Sequence, residues 1–204
     1  MDRPISVGFV SIFYLLIIVV AFVLGTAFAG LDVIVWHNDH GTSLLFDASL
    51  GVGVGVITVV ISQILDRTTK WARNLTEEFT RALGHLTRFQ VLLFALLSGI
   101  AEEMFFRGFL QQFLTESIFS GDLAGILGLI TAGLIFGGLH LGPDFRKFWP
   151  WTAMAIVLGV VFGAMYLYTG NILGPVLAHF TINFFNLYFM TQSSPSSDMD
   201  SGHE

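Results

Sequence analysis

Residues 99–110 read GIAEEMFFRGFL, which places two adjacent glutamates and an arginine inside an otherwise apolar run. The stretches on either side, QVLLFALLS and FLQQFL, have the composition of a helix immersed in lipid. An ionisable side chain at the bilayer centre costs about 2.5–3.5 kcal/mol on insertion scales. Three such groups in one stretch therefore indicate a functional site within a membrane-spanning helix.

The composition of the whole chain predicts a protein that is solvated mostly by lipid. The 204 residues are 54% hydrophobic and 12% charged, with a mean hydropathy of +0.75. Soluble domains carry about 25% charged residues. The chain has no cysteine, which excludes a disulfide framework and thiolate chemistry. No basic stripe with interleaved aromatic residues is present, so membrane lipids are the expected surroundings and nucleic acid is not an expected partner.

The apolar stretches predict an all-α, polytopic membrane protein with about six transmembrane helices. The six stretches that are long enough, or nearly so, to span a bilayer are 7–29, 48–65, 90–115, 122–141, 150–168 and 172–191. Between the second and third, residues 66–89 place Trp71, Leu75 and Phe79 at helical spacing among charges, which predicts an amphipathic helix along the membrane surface.

This organisation divides the chain into three parts. We expect residues 1–89 to hold two spans and the amphipathic helix, residues 90–191 to form a catalytic core, and residues 192–204 to be a disordered tail. Glycine pairs at four-residue spacing, Gly121/Gly125 and Gly133/Gly137 among them, suit close helix packing in lipid, although glycine is also simply common in such helices. Oligomeric state stays open, because these pairs could pack helices within one chain or between two.

The basic residues predict the orientation. The loop at 30–47 has no lysine or arginine, whereas residues 66–89 contain five. Six spans with both termini inside place eight of the nine basic residues on the cytoplasmic side, and the ninth is Arg107 within the membrane. We therefore expect a multi-pass protein of the inner (cytoplasmic) membrane of the cell, with both termini in the cytoplasm.

The three intramembrane charges separate into a pair and a single group. Glu103 and Arg107 are four residues apart, so they share a helix face and can neutralise each other. Glu102 is rotated about 100° away and has no partner on its own helix. A purely structural ion pair therefore explains Glu103 and Arg107 but leaves Glu102, which is free to act as a general base.

Three further polar residues lie in later apolar stretches. His179 and Asn183 are one turn apart on one helix face, so both can donate hydrogen bonds to one oxygen, as stabilisation of an oxyanion requires. Packing between helices is the competing interpretation of Asn183. His140 ends the stretch TAGLIFGGLH, and the residues alone leave it between an interfacial or capping residue and a catalyst.

Taken together, these residues resemble a known family. The motifs EExxxR, FxxxH and HxxxN occur in that order in three separate stretches, with these members: Glu102, Glu103, Arg107, Phe136, His140, His179 and Asn183. This set resembles the CPBP family of intramembrane proteases, the CAAX-protease and bacteriocin-processing group also called Abi. The resemblance covers roughly residues 90–190, whereas residues 1–89 match only as generic membrane helices.

The resemblance implies a role for each of these positions. Glu102 would activate a water molecule with His140 as its partner, while Glu103 and Arg107, together with Phe136, would support them. The remaining pair, His179 and Asn183, would form the oxyanion hole over the scissile carbonyl.

One geometric difficulty concerns His140. Counting about 1.5 Å per residue puts Glu102 and His179 at similar depths, roughly 16–18 Å, but leaves His140 shallower because Pro143 stops its helix. Either that span ends early, or the loop at 141–149 dips inward. We expect a conical, water-filled catalytic cavity that is open to the cytoplasm, with this loop on its rim.

Metal dependence has two possible answers. The resembling family has been described both as metal-dependent and as glutamate-type. The sequence has neither HExxH nor cysteine, and its adjacent glutamates point in different directions, which favours no cofactor. The alternative is zinc held by Glu102, His140 and His179.

The leading functional interpretation is an intramembrane endopeptidase that hydrolyses a membrane-associated peptide, CAAX-like or other. An alternative is a non-enzymatic immunity or regulatory protein that binds a peptide in the same cavity. A transporter or proton relay is a third possibility, but the spans show no inverted repeat. The chain also lacks a GxSG serine and the paired YD and GxGD aspartates of other intramembrane proteases.

Overall fold

The computed structural model describes residues 6–35, 41–142 and 144–193, and every regular element within these ranges is a helix. These helices are α1 Val7–Ala29, α2 Leu44–Thr68, α3 Lys70–Leu83, α4 Arg88–Ile118, α5 Ala124–Leu139, α6 Phe145–Thr169 and α7 Leu173–Ser193. The predicted all-α membrane bundle is confirmed. Of the predicted tail, residues 194–204 lie outside the described ranges.

Six of these helices coincide with the six apolar stretches, and α3 coincides with the predicted amphipathic helix. Within the described residues, α1, α2, α4 and α6 are long and apolar enough to cross a membrane. By contrast, α5 has 16 residues and is about 24 Å long, which is shorter than the roughly 30 Å hydrocarbon core. The count of six complete spans therefore stays a prediction, whereas the multi-pass arrangement does not depend on it.

The outer face of α1 is apolar, which indicates that lipid surrounds the bundle. Phe9, Ile12 and Leu16 on this helix are 70%, 61% and 58% exposed. Apolar side chains presented outward along a whole helix fit contact with lipid better than contact with water. The same helix presents its other side to α4, which carries the intramembrane charges.

Two pairs of helices pack closely through glycine. On α5, a Cβ added at Gly133 or Gly137 would lie 2.9 Å and 2.6 Å from the backbone nitrogens of Val160 and Ile156 on α6. In the same way, Gly51 of α2 packs against the backbone of α7. The interpretation of Gly121/Gly125 as a packing pair is wrong, because Gly121 lies in a turn with φ +79°.

Substitution of neighbouring glycines on α5 tests this packing. We expect Gly137→Ala to destabilise the bundle by about 1–3 kcal/mol, because the added methyl group overlaps the α6 backbone. Gly138→Ala is the matched control, since a Cβ there meets nothing within 4 Å. Thermal unfolding of both detergent-solubilised variants measures the difference. Equal melting temperatures would contradict close α5–α6 packing.

The amphipathic helix α3 lies at one end of the bundle, which we call the α3 end. Gly84, with φ +66°, ends α3, and a reciprocal Thr87–Gln90 capping box begins α4 immediately afterwards. At this end Leu86 and Val91 pack with residues from the start of α1 and the end of α7. The starts of α1 and α4 and the end of α7 therefore meet beside α3.

Candidate active site

The charges of α4 form a buried pair, as their spacing predicted. Arg107 Nη1 lies 3.0 Å from Glu103 Oε1 and 2.9 Å from Oε2, and both residues are 0% exposed. The other terminal nitrogen of Arg107 donates to the Gly159 carbonyl on α6 at 2.7 Å. The arginine thus joins α4 to α6 while it compensates the charge of Glu103.

A π-helical turn spans Met104–Gln111, directly after the two glutamates. Such turns often occur at functional sites. Within it, Gln111 donates to the Gly163 carbonyl at 3.0 Å, one turn along α6 from the Arg107 contact with Gly159. These two hydrogen bonds fix the rotation of α4 relative to α6 on the side that carries Glu103.

His179 on α7 is held by the same glutamate. Its Nδ1 lies 2.8 Å from Glu103 Oε1, and a carboxylate that pairs with arginine can only accept a hydrogen bond. We therefore assign the proton to Nδ1, which makes Nε2 a donor only when the ring is an imidazolium. Two carboxylates and one guanidinium leave one negative charge at Glu102, and the imidazoles of His140 and His179 lie beside it.

His140 faces the second glutamate. Its Nδ1 lies 2.6 Å from the carbonyl of Phe136, so this nitrogen carries a proton, and Nε2 is an acceptor in the neutral ring and a donor in the imidazolium. Nε2 lies 3.5 Å from Glu102 Oε2, and Nε2 of His179 lies 3.9 Å from the same oxygen. In the neutral form of His140, Nε2 and Glu102 Oε2 are two acceptors on one side of the site, and one water molecule can donate a hydrogen bond to each.

The position of His140 follows from an early end of α5. The helix stops at Leu139, and His140 itself has φ −90° and ψ +49°. Thr152 on α6 donates to the His140 carbonyl at 2.9 Å, and the ring packs on Phe136 with centroids 4.3 Å apart. This end agrees with the first of the two possibilities above, a span that ends early, while the depth of His140 in the membrane stays a prediction. Pro143, invoked as the cause, lies outside the described residues.

Asn183 is linked to the glutamate through two residues that sequence reasoning missed. Its Nδ2 donates to Ser98 Oγ at 2.8 Å, and the Tyr14 side chain lies close to both Ser98 and Glu102. Ser98 precedes Glu102 by one helical turn, and this spacing could have indicated it. Tyr14 lies in the first span, where only its polar hydroxyl distinguishes it from its apolar neighbours.

These side chains border a cavity of about 370 Å³ that also extends beneath α3. Tyr14, Ser98, His140, His179 and Asn183 line it. Glu102 does not itself line the cavity, but its side chain is 14% exposed and lies beside two residues that do, His140 and His179. The cluster therefore faces a space within the bundle that is large enough for a short peptide segment.

The walls of the cavity correct two expectations. The apolar face of α3, including Trp71, Leu75 and Phe79, lines the cavity and so does more than lie along a membrane surface. None of the described residues of 141–149 lines it: α6 already begins at Phe145, and Trp151 is its first residue in the wall. The side of the membrane toward which the cavity opens stays a prediction.

The described residues contain no group of three His, Asp or Glu side chains arranged to hold a metal ion. Glu102, His140 and His179, the set considered for zinc, approach each other but do not form such a group. Glu103, the neighbouring carboxylate, is already bound by Arg107 and His179. The donor geometry gives no basis for routing a reaction step through a metal.

The apolar helix bundle defines a multi-pass membrane protein. The carboxylate and imidazole groups beside its internal cavity are side chains that hydrolases use to activate water. The chain belongs to the Type II CAAX prenyl endopeptidase Rce1-like family, whose model matches residues 84–185, or 102 of the 204 residues. The resemblance drawn from the three motifs is thereby confirmed. Tyr14 lies outside the matched residues.

One curated relative is the protein YpbD of Bacillus subtilis (strain 168). It is 38% identical over 95 residues, which cover 46% of this chain and 41% of that protein. The chain thus spans less than half the length of this relative. No solved structure matches the chain.

Proposed function

We propose that this protein is an intramembrane endopeptidase that hydrolyses a membrane-associated peptide by means of a water molecule activated between Glu102 and His140. One observation carries the proposal: Glu102 Oε2 faces the Nε2 atoms of His140 and His179 at 3.5 Å and 3.9 Å. Both imidazoles are held from behind at Nδ1, by Phe136 and Glu103. Such preorganisation is what catalysis requires of its reacting groups.

The reaction begins with transfer of a proton from water to Glu102 as the water oxygen bonds to the scissile carbonyl carbon. Negative charge then develops on the carbonyl oxygen. Asn183 stabilises this charge with the amide N–H that Ser98 does not use, and His179 does so with Nε2–H in its imidazolium form. Finally Glu102 returns the proton to the leaving nitrogen as the C–N bond breaks.

Tyr14 acts as a positioning residue for Glu102 in this scheme. Its side chain lies close to both Glu102 and Ser98, so its hydroxyl can donate a hydrogen bond to the base beside the residue that holds Asn183. Because a well-placed base must keep its geometry within a fraction of an ångström, the hydroxyl contributes even though it takes no proton from the substrate.

Tyr14→Phe is expected to lower kcat about tenfold or more without changing KM, since a hydrogen bond to a charged group contributes about 1.5–3 kcal/mol. Tyr166→Phe removes a similarly half-buried hydroxyl that does not line the cavity, so it is the matched control. Steady-state kinetics of the two variants, with melting temperatures, test the role. A rise in KM alone, or an equal loss in both variants, would contradict it.

We propose that the reaction requires no metal, and zinc held by Glu102, His140 and His179 is the alternative. Metal analysis of the purified protein, together with activity in the presence of a chelator, separates the two. We also propose that the α3 end faces the cytoplasm of the cell membrane, because basic residues such as Arg67, Lys70 and Lys147 cluster there.

A peptide-binding immunity or regulatory protein is the second candidate, because the largely apolar walls of the cavity fit a peptide whether or not it is cut. Comparison of peptide termini in membranes from cells with the wild-type protein and with Glu102→Gln tests the two. A protease predicts that uncut peptides accumulate in the variant, and their sequences identify the substrate. If the peptide termini were the same in both strains, and cells with Glu102→Gln behaved like cells with the wild-type protein, the protease proposal would be overturned. That result would support the peptide-binding protein.

A further inference from the structure

Asp66 is the only aspartate, glutamate, lysine or arginine among the described residues that line the cavity. It lies near the end of α2, at the α3 end of the bundle. Its Oδ1 atom is buried and has no hydrogen-bond partner among the described residues. A carboxylate oxygen that is removed from water without a partner carries a desolvation cost that a bound donor would offset.

Asp66 continues a polar path that begins at the catalytic residues. On α2, Thr58, Ser62 and Asp66 follow one another at intervals of one turn, and all three line the cavity. Asn186 continues the row of His179 and Asn183 on α7. Ser62 Oγ donates to Asn186 Oδ1 at 3.3 Å, which joins the two rows.

This path sets the distance between Asp66 and the reacting bond. Asn186 lies two turns beyond His179, or about 10 Å along α7. Ser62 of α2 is hydrogen-bonded to Asn186, and Asp66 lies one turn, or about 6 Å, beyond Ser62. The total of about 16 Å corresponds to roughly five residues of extended peptide. Since a lysine or arginine side chain itself reaches several ångströms, the partner residue would lie three to five positions from the scissile bond.

Apart from Thr76, the rest of the wall at this end is apolar and includes Trp71, Leu75 and Leu187. A single carboxylate in such a wall favours a cation and disfavours an anion. No lysine or arginine among the described residues that line the cavity competes for it.

Resting on the proposed function, we propose that Asp66 forms a subsite for a lysine or arginine side chain of the substrate, three to five residues from the scissile bond. Ser62 and Asn186 supply hydrogen-bonding groups beside the cation. The substrates are then apolar, membrane-associated peptides that carry one basic residue at a set distance from the cut.

Binding to the Glu102→Gln variant tests the subsite without hydrolysis. The variant is placed in phosphatidylcholine nanodiscs, whose lipid carries no net charge, and is titrated with fluorescent Ala/Leu/Val decapeptides. One lysine is moved through the peptide position by position, and norleucine replaces it in a matched series. We expect lysine to tighten binding about tenfold or more at one or two adjacent positions, and Asp66→Asn, added to this variant, to remove that gain.

Two further variants keep the test decisive. Asp122→Asn changes an exposed aspartate outside the cavity and should leave the lysine preference intact. Asp66→Lys should shift the preference to peptides with glutamate at the same position, which a general loss of folding cannot do. The subsite would be overturned if the lysine and norleucine peptides bound equally well at every position. It would also be overturned if Asp66→Asn weakened the binding of both series by the same factor. Failure of the wild-type protein to cut any peptide that binds would instead count against the protease.

Discussion

Glu102→Gln is expected to lower the rate of peptide hydrolysis by about 10²–10⁴-fold while the protein still inserts and folds. The amide has nearly the same shape as the carboxylate, but it cannot take a proton from water. No lysine or arginine among the described residues forms an ion pair with Glu102, because Arg107 is bound to Glu103 and the neighbours of Glu102 are the imidazoles of His140 and His179. The substitution therefore removes the base without breaking the buried ion pair. Turnover of a substrate peptide by purified protein in nanodiscs measures the loss.

Glu116→Gln is the matched control for this experiment. Glu116 lies on the same helix, is exposed and does not line the cavity, so its substitution should leave the rate unchanged. Thermal unfolding of both variants shows whether a lost rate reflects lost structure. If a well-folded Glu102→Gln protein cut peptides at the wild-type rate, the water would be activated elsewhere and the mechanism would be wrong.

The helices and the ion pair were predictable because each depends on spacing along a single segment. Long apolar stretches mark helices that lipid can surround, and a separation of four residues places Glu103 beside Arg107 whatever the neighbouring helices do. The same local reasoning separated Glu102 from this pair, because adjacent residues on a helix point about 100° apart. The three motifs then placed His140 and His179 in one site by family resemblance.

Features that depend on contacts between helices could not be predicted in this way. The π-helical turn at Met104–Gln111 accompanies hydrogen bonds from α4 to carbonyls of α6, which no periodicity within α4 shows. Tyr14 reaches Glu102 from a helix some ninety residues earlier, and its own stretch of sequence reads only as a membrane span. The apolar face of α3 fitted a membrane surface equally well until its neighbours showed that it lines the cavity.

The site therefore has two layers with different physical purposes. In the outer layer, His140 and His179 border the space where a substrate would lie, and Glu102 lies beside both. Behind them, Glu103 and Arg107 are fully buried and hold His179 from its other side. A buried charge in this inner layer is tolerated because its partner compensates it. Substitutions in the inner layer should therefore lower the stability of the fold, and they should lower activity as a consequence.

Arg107→Met is accordingly expected to destabilise the folded bundle by about 3–5 kcal/mol. The substitution leaves the Glu103 carboxylate buried without its main counter-charge, and it also removes the hydrogen bond to Gly159 and the contact with the ring of Phe136, 5.0 Å from the guanidinium carbon. Chemical unfolding in mild detergent measures the loss. Adding Glu103→Gln to Arg107→Met should restore part of the stability, because the unpaired charge is then gone.

Arg81→Met is the control for the loss of a surface ion pair. Arg81 pairs with Glu78 at 3.1 Å, but its side chain is 67% exposed, so the expected change is below about 1 kcal/mol. A similar small loss on Arg107→Met would mean that Glu103 takes up a proton or finds another partner when the arginine is absent. In that case Glu103 would not need a permanent counter-charge, and the assignment of Nδ1 of His179 as a donor to an ionised carboxylate would fail with it.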